Sequence, residues 1–271
     1  MSIRDEELQL LLNDLIDRYG YDFTGYSEAS LKRRVERFMV KDHIQDISIL
    51  RAVIIKNPDY FRHLVEEMTV NVTEMLRDPL FYKAVREDVI PVLATYPFIR
   101  IWHAGCSTGE EVYSMAILLQ EAGVLHKSRL YATDINPGVI EKARSGIFPA
   151  NQIRKYSENY IRSGGKNDFS SYYSSNYNLA KFNESLSEKM IFATHNLVAD
   201  SSFNEFQLIF CRNTLIYFNK SLQSRVLELF DHSLELLGFL ALGTKESLRF
   251  SSIAPKFRQI TAGQKIWRKQ K

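Results

Sequence analysis

The feature that most limits the fold is a short apolar run that ends in a glycine-bearing polar turn and passes at once into a helix. Phe98–Ala104 (FIRIWHA) reads as a strand, Gly105-Cys106-Ser107-Thr108-Gly109 as the turn and Glu110–Ala122 as the helix. The pattern recurs. Arg129–Thr133 is a second strand ending at Asp134, and Asn136-Pro137 opens a short helix, asparagine as N-cap and proline where its missing N–H costs nothing. Met190–Thr194 and Gln207–Cys211 are further strands, Ser221 opens a long helix to about Leu237, and Gly238–Leu242 is a fifth strand. Strands alternating with helices specify an α/β layer with a mainly parallel sheet. Phe257–Ile260 and Lys265–Arg268, around Ala262-Gly263, read as an antiparallel hairpin at its edge. Ser157–Asn178, rich in Ser, Tyr, Asn and Gly, reads either as a surface loop or as a small antiparallel subdomain grafted onto the sheet.

Open parallel sheets bind ligands at the carboxyl ends of their strands, and three strand ends here are unusually polar. Glycines in Gly105–Gly109 let the backbone turn tightly and approach a ligand. The loop is not a dinucleotide fingerprint, and it sets two carboxylates, Glu110 and Glu111, at a helix start, where they would repel a pyrophosphate. Acids at that position also stabilise the helix dipole without any ligand. Asp134 stands where an acid accepts ribose hydroxyls. A nucleoside with no phosphates and a positive charge is S-adenosylmethionine, favoured here over NAD. At the third strand end, Arg212, Asn213 and Tyr217 are out of place in a plain connector.

Residues 1–70 are of another kind. Leu8, Leu11, Leu12 and Leu15 repeat at helical spacing; Leu31, Val35 and Phe38 start a second stripe; Asn57-Pro58 caps a helix buried through Phe61, Leu64, Val65 and Met68. The expected organisation is a helical N-terminal domain (1–70), a linker and connecting helix (71–95), and an α/β domain (96–271) with a β-insertion at about 150–188. Net charge is only +3, too mild to imply nucleic-acid binding. Within Leu31–Lys41, however, Lys32, Arg33, Arg34, Arg37 and Lys41 face a single acid, Glu36. Two cysteines, Cys106 and Cys211, suit a reducing compartment, and neither they nor the histidines have metal-ligand spacing. No apolar run is long enough to span a bilayer and the first residues are acidic, so a cytoplasmic protein without direct membrane insertion is expected.

With these motifs in hand, the chain resembles the CheR chemotaxis receptor methyltransferases over nearly its whole length. The resemblance rests on the helical N-terminal domain, the linker Asn71-Val72-Thr73-Glu74-Met75-Leu76-Arg77-Asp78-Pro79 and the loop AGCSTGEE followed by Tyr113 and Ser114. It continues through ATDIN (Ala132–Asn136), KARSGIF (Lys142–Phe148), HNL (His195–Leu197) and Ile209–Phe218. It implies a Rossmann-like S-adenosylmethionine-dependent methyltransferase sheet, with a small all-helical N-terminal domain and an inserted small antiparallel β-subdomain. Asn71, Thr73 and Arg77 would reach the cofactor's methionine end, Glu111 its amino group and Asp134 its ribose. Asn196 and Leu197 would flank the adenine, and Asn213 and Thr214 would lie under the cofactor. Arg77 and Tyr217 would face the methyl group and the substrate. That substrate would be a glutamate on the cytoplasmic helices of a chemoreceptor, which becomes a methyl ester, leaving S-adenosylhomocysteine. The family docks its N-terminal domain on an acidic helix bundle, which assigns Lys32, Arg33, Arg34 and Arg37 to docking; such a face is otherwise an ordinary solvated helix side.

The chemistry is consistent with that implication. A glutamate carboxylate is already ionised at neutral pH, its ordinary pKa being about 4.3, so no general base is needed. What remains is positioning, with Arg77 holding one carboxylate oxygen and leaving the other free. Asp78 and Pro79 read as N-cap and first residue of a helix. Leu76 stands where the family usually has an aromatic residue, and Val112 where it often has proline. No match to the receptor-tail site of some relatives is found in Ser163–Asn178, which leaves a tail-less receptor or another signalling protein as the partner. Two competing classes remain: a non-catalytic relative that senses the cofactor or scaffolds a signalling array, and a nucleic-acid or small-molecule methyltransferase. Retention of Arg77, Glu111, Asp134, Asn213 and Tyr217 weighs against the first. Modest charge and the lack of an Asn/Asp-Pro-Pro-Tyr motif weigh against the second.

Overall fold

The computed structural model describes residues 3–69 and 71–271, which divide into two compact units. The first unit is Met1–Val70 with Val198–Asp200 and Tyr217–Val226; the second is Asn71–Leu197, Ser201–Ile216 and Leu227–Lys271.

The helical unit contains α1 (Asp5–Tyr19), α2 (Glu28–Lys41), α3 (Ile47–Lys56) and α4 (Pro58–Met68). Leu8, Leu11, Leu12 and Leu15 are the buried stripe of α1, which stops at Gly20, left-handed at φ 72°. Asn57 caps α4, its side-chain oxygen accepting from the Asp59 and Tyr60 amides. The helix α3 was not legible beforehand. Its sequence ISILRAVIIK is rich in β-branched residues, and only packing through Ile47, Leu50 and Ile54 makes it helical. The segment Tyr217–Val226 is sewn to this unit by chain contacts near Gly25. The Asn219 amide donates to the Gly25 carbonyl, the Ser27 amide to that of Tyr217, and a Cβ on Gly25 would fall 2.7 Å from Leu222 Cδ2.

In the second unit α5 (Pro79–Ala84) runs through a π-turn (Val85–Val89) into α6 (Ile90–Leu93) and on to β1 (Ile99–Ala104). There follow α7 (Glu110–Glu121), β2 (Ser128–Asp134), α8 (Pro137–Ser145), β3 (Ile147–Pro149), α9 (Ile153–Arg162), β4 (Tyr173–Asn176), β5 (Leu179–Phe182), α10 (Glu184–Ser187), β6 (Met190–Thr194) and β7 (Phe206–Cys211). The chain closes with α11 (Lys220–Ser233), whose first turns belong to the helical unit, then β8 (Leu234–Leu242), β9 (Phe257–Gln259) and β10 (Ile266–Lys269).

The main sheet has the order β6-β2-β1-β7-β8-β10-β9, parallel from β6 to β8 and antiparallel at the β10-β9 edge. The chain leaves β1 toward β2 on one side and returns to β7 on the other, so the order reverses at the β1/β7 carboxyl ends, where open sheets bind ligands. Strands β1 and β7 are buried along nearly their whole length, as central parallel strands must be, with Arg100, His103 and Gln207 as their polar members.

A second sheet, β3-β5-β4, is antiparallel, so the tyrosine-rich insertion is a subdomain, not a loop. One boundary differs from expectation. Strand β8 begins at Leu234, not Gly238, because Leu234 pairs with Phe206 and the ladder resumes only at Phe239–Leu208. The bulge between them holds Leu237 at φ 68°.

Beneath the β10 edge, buried Asp231 receives Lys256 at 2.5 Å and Lys269 at 3.2 Å. Burial pushes its carboxyl up, but the two lysines outweigh this and hold it below the ordinary value. A lowered folded pKa contributes stability above the unfolded value, about 3.9, which is lost as pH falls through the folded one. Asp231→Asn is therefore expected to cost about 1.5 kcal/mol at pH 7, the low end for a charged hydrogen bond because Lys256 is half solvated. Thermal melts from pH 7 down to pH 3 should show the gap between the two proteins closing; a gap independent of pH would discard the ion cluster as its source.

Candidate active site

The turn after β1 is held in place by the tip of β2. The Gly105 and Cys106 amides donate to the Thr133 carbonyl at 2.8 and 2.9 Å. Asp134 then uses both carboxylate oxygens on backbone: Oδ2 accepts from the Ser107 amide (2.9 Å) and Oδ1 from the Asn136 amide (3.0 Å). Burial raises the Asp134 carboxyl, and these amide bonds pull it part of the way back. The tip of β6 joins the same point, the His195 amide donating to the Asp134 carbonyl at 3.0 Å, so Asn196 and Leu197 are delivered beside it. Gly105 is left-handed at φ 79°, and a Cβ there would lie 2.4 Å from Thr214 Oγ1, so glycine is required where the β1 and β7 turns meet.

The turn after β7 is fastened by a residue the sequence reading passed over. Buried Glu246 accepts from the Gly243 amide (2.6 Å) and the Asn213 amide (2.9 Å) on Oε2, and from the Ile216 amide on Oε1 (3.3 Å). Burial raises its carboxyl. This fixes Asn213, left-handed at φ 62°, and Thr214. Glu110, the first of the paired acids, faces inward between Thr108 Oγ1 (2.6 Å) and the Tyr156 hydroxyl (3.3 Å), and burial raises it too. It serves the loop, not an open crevice.

Glu111 and Arg212 form a second cluster. Glu111 Oε1 meets His103 Nδ1 at 2.9 Å, and its Oε2 lies 3.5 Å from Arg212 Nη1. The Arg212 side chain, 3% exposed, also donates to Asp78 Oδ2 (2.6 Å) and to the Arg77 carbonyl (3.3 Å), and its guanidinium sits 4.0 Å from the Phe81 ring centroid. A buried cation paired with two carboxylates and packed on an aromatic face is structural in kind. Arg212 was noticed only as an oddity; its partners are 134 and 135 residues away and carry no local signal. Asp78 does occupy the N-cap position of α5, but with φ 61° and no capping hydrogen bond, because its carboxylate is drawn to Arg212 instead.

Arg77 directly precedes Asp78 on the linker. Its guanidinium donates to the Val72 carbonyl at 3.2 Å, beside half-buried Asn71 and Thr73, and has no ion-pair partner among the described residues. Tyr217 lies in the helical unit, where the Arg34 guanidinium is 4.9 Å from its ring centroid. Arg34 corrects the expected docking face. It is 8% exposed and donates to the Met68 carbonyl at 2.5 Å, because positions 31, 34, 35 and 38 form one buried stripe of α2. Of the others, Lys32 pairs with Asp5, Arg37 and Lys41 share Glu67, and Arg33 is exposed with no ion-pair partner among the described residues. Cys106 and Cys211 are free buried thiols, both raised by burial.

Residues 71–266 match the family model described as the CheR methyltransferase SAM-binding domain, and residues 6–69 match the CheR methyltransferase all-alpha domain. The chain belongs to the CheR methyltransferase family. It is 46% identical over 265 residues to a Pseudomonas putida protein with the provisional name methyltransferase Cher3, covering 98% of this chain and 97% of the relative. The chemotaxis protein methyltransferase of Salmonella typhimurium is 30% identical, covering 84% of this chain and 76% of the relative. Chemotaxis protein methyltransferase 1 of Vibrio cholerae is 28% identical across 96% and 95%. The fold is accordingly that of an S-adenosylmethionine-dependent methyltransferase, and the CheR cofactor is S-adenosylmethionine.

The donor set at the β1, β2 and β7 tips of this CheR chain fits that cofactor. Asp134 is a buried acceptor at the tip of β2 with backbone amides on both carboxylate oxygens, the type of group a ribose hydroxyl can also donate to. Glu111 brings a carboxylate to the same strand ends, with Arg212 Nη1 3.5 Å from one of its oxygens. Ser107 Oγ is buried with no hydrogen-bond partner among the described residues, a polar atom left over at the turn itself. Two carboxylates occupy the start of α7, the wrong charge to receive a phosphate there.

Proposed function

We propose that this protein is a protein-glutamate O-methyltransferase: it transfers a methyl group from S-adenosylmethionine to glutamate side chains on cytoplasmic helices of a chemoreceptor or related signalling protein, giving glutamyl methyl esters. The observation that carries the reading is the contrast between two arginines. Arg212 is buried and paired with two carboxylates, whereas Arg77, on the adjoining linker, has no ion-pair partner among the described residues and is partly exposed. A partly exposed guanidinium with free donors is the group that holds an anionic acceptor.

Bound S-adenosylmethionine supplies an electrophilic methyl group on a sulfonium that needs no acid to leave. Asp134, Asn196, Leu197, Asn213 and Thr214 hold the nucleoside, Glu111 with Asn71 and Thr73 its amino-acid end. Arg77 orients the acceptor carboxylate through one oxygen; two full bonds would quench the nucleophile. Tyr217 bounds the acceptor pocket or adds a hydrogen bond, a role that rests on the resemblance alone. The reaction needs no base, and His103 is engaged by Glu111. Orientation of this kind supplies up to about 7–11 kcal/mol.

The test is incubation of the protein and labelled cofactor with receptor-bearing membranes. Base-labile methyl groups should appear on a receptor-sized protein, and Arg77→Ala should lower turnover by about 100-fold or more. No labelling with cofactor affinity intact would instead leave a sensor or scaffold. The partner is docked by the exposed bases of α2, Arg33 and Arg37 with Lys32, and not by Arg34. Arg33→Glu with Arg37→Glu should raise KM for the receptor while cofactor affinity stays put; an unchanged KM would return this face to plain solvated surface. A receptor's cytoplasmic helices as substrate make the cytoplasm the place of action. No helix among the described residues is long and apolar enough to cross a membrane.

A further inference from the structure

The linker segment Met75–Asp78 is held in an unfavourable backbone conformation by three side chains from three separate elements. Leu76 and Asp78, on either side of Arg77, are both left-handed, at φ 53° and 61°. Aspartate tolerates this region better than most residues, but for leucine it costs on the order of 1 kcal/mol or more, so surrounding contacts must impose it. Those contacts are specific. Asn159 on α9, itself 1% exposed, donates from Nδ2 to the Met75 carbonyl at 2.9 Å. The Leu76 amide donates to Ser114 Oγ on α7 (2.9 Å), and that hydroxyl donates in turn to the Glu110 carbonyl (2.6 Å). The Arg77 carbonyl and the Asp78 carboxylate are both taken by Arg212. The backbone groups flanking Arg77 are therefore tied down by three side chains, while the Arg77 guanidinium makes one hydrogen bond, to the Val72 carbonyl, and no ion pair among the described residues.

We propose that Asn159, together with Ser114, is a positioning residue for Arg77. By fixing Met75 and Leu76 it holds the strained linker in the one conformer that delivers the guanidinium. Asn159 lies on the helix that opens the inserted region, one turn from Tyr156, which reaches Glu110 in the cofactor loop. The helix α9 thereby ties the insertion to both the cofactor loop and the linker. A relaxed linker would let Leu76 and Asp78 return to ordinary φ values and would swing Arg77 with them. The proposal rests on the role given to Arg77 under the proposed function, so its test includes a readout independent of methyl transfer.

In the unliganded protein, hydrogen exchange at the Leu76 amide reports the linker directly. Asn159→Ala should speed that exchange at least about tenfold while protection in β1 and β7 is kept. In methyl transfer the same substitution should lower kcat by about 10- to 100-fold with little change in receptor KM. In an Arg77→Ala background it should change kcat by less than about twofold, since a residue that acts through Arg77 has nothing left to act on. Ser114→Ala should repeat the pattern from another element if the Asn159 variant folds poorly. Unchanged Leu76 exchange in both variants overturns the proposal even if the enzyme is active. So does a kcat loss that persists in full without Arg77. Absence of any methyl transfer by the native protein would count against the proposed function and leave the exchange result standing.

Discussion

Replacing Arg212 with methionine is expected to lower the melting temperature by about 6–12 °C, the largest stability loss of any single substitution considered for this chain. Methionine keeps much of the volume over the Phe81 ring but removes the one cation that Asp78 and Glu111 share. Breaking a buried pair from one side typically costs 3–5 kcal/mol, because the partner charges stay where they are. Asp78 is 38% exposed and can be hydrated, whereas Glu111 is 14% exposed and is left with His103 alone, so about 3 kcal/mol is the expected figure. At about 2–4 °C per kcal/mol for a chain of this size, that gives the stated shift. Differential scanning calorimetry on the two proteins decides it, and a shift of a degree or less would show that the cluster is solvated and replaceable. Arg212→Lys should recover part of the loss but not all, since an ammonium cannot span both carboxylates as the planar guanidinium does.

Asp134→Asn should weaken S-adenosylhomocysteine binding about 30- to 150-fold, read by titration calorimetry. The side chain is almost isosteric, so the effect isolates charge and acceptor count. Asp134 serves the Ser107 amide on one oxygen and the Asn136 amide on the other. Asparagine has one acceptor oxygen, and its NH2 would face one of those N–H groups donor to donor. Losing one charged hydrogen bond to the loop and the anionic acceptor for the ribose corresponds to about 2–3 kcal/mol. The Ser107 amide should also exchange faster in the variant without ligand. Affinity equal to the native protein would take Asp134 out of the binding site and leave it a loop anchor.

Both residues show how unevenly the site could be read in advance. The place of Asp134 at a strand tip was legible because the alternation of strands and helices puts it there. The left-handed Gly105 and the caps at Asn57 and Asn136 were legible for a similar reason: each is a conformational preference within a few residues of chain. Arg34 could have been read better. It shares a helical stripe with Leu31, Val35 and Phe38, and that spacing alone turns it inward.

The amino-acid sequence by itself determined the α/β alternation, the helical N-terminal segment, the strand tips that carry Asp134 and Asn213, and the motifs by which the chain resembles its family. Tertiary structure alone decided that Glu110 faces inward, that Asp78 serves Arg212 and not its own helix, that Glu246 fastens the turn after β7, and that Asn159 reaches Met75 from 84 residues away. The division has a physical cause. Dihedral preference and hydrophobic period act over one or two turns of chain, so they are written locally. A buried charge or amide takes whichever partner the packed sheet brings within 3 Å, and that choice exists only once the strands have been ordered.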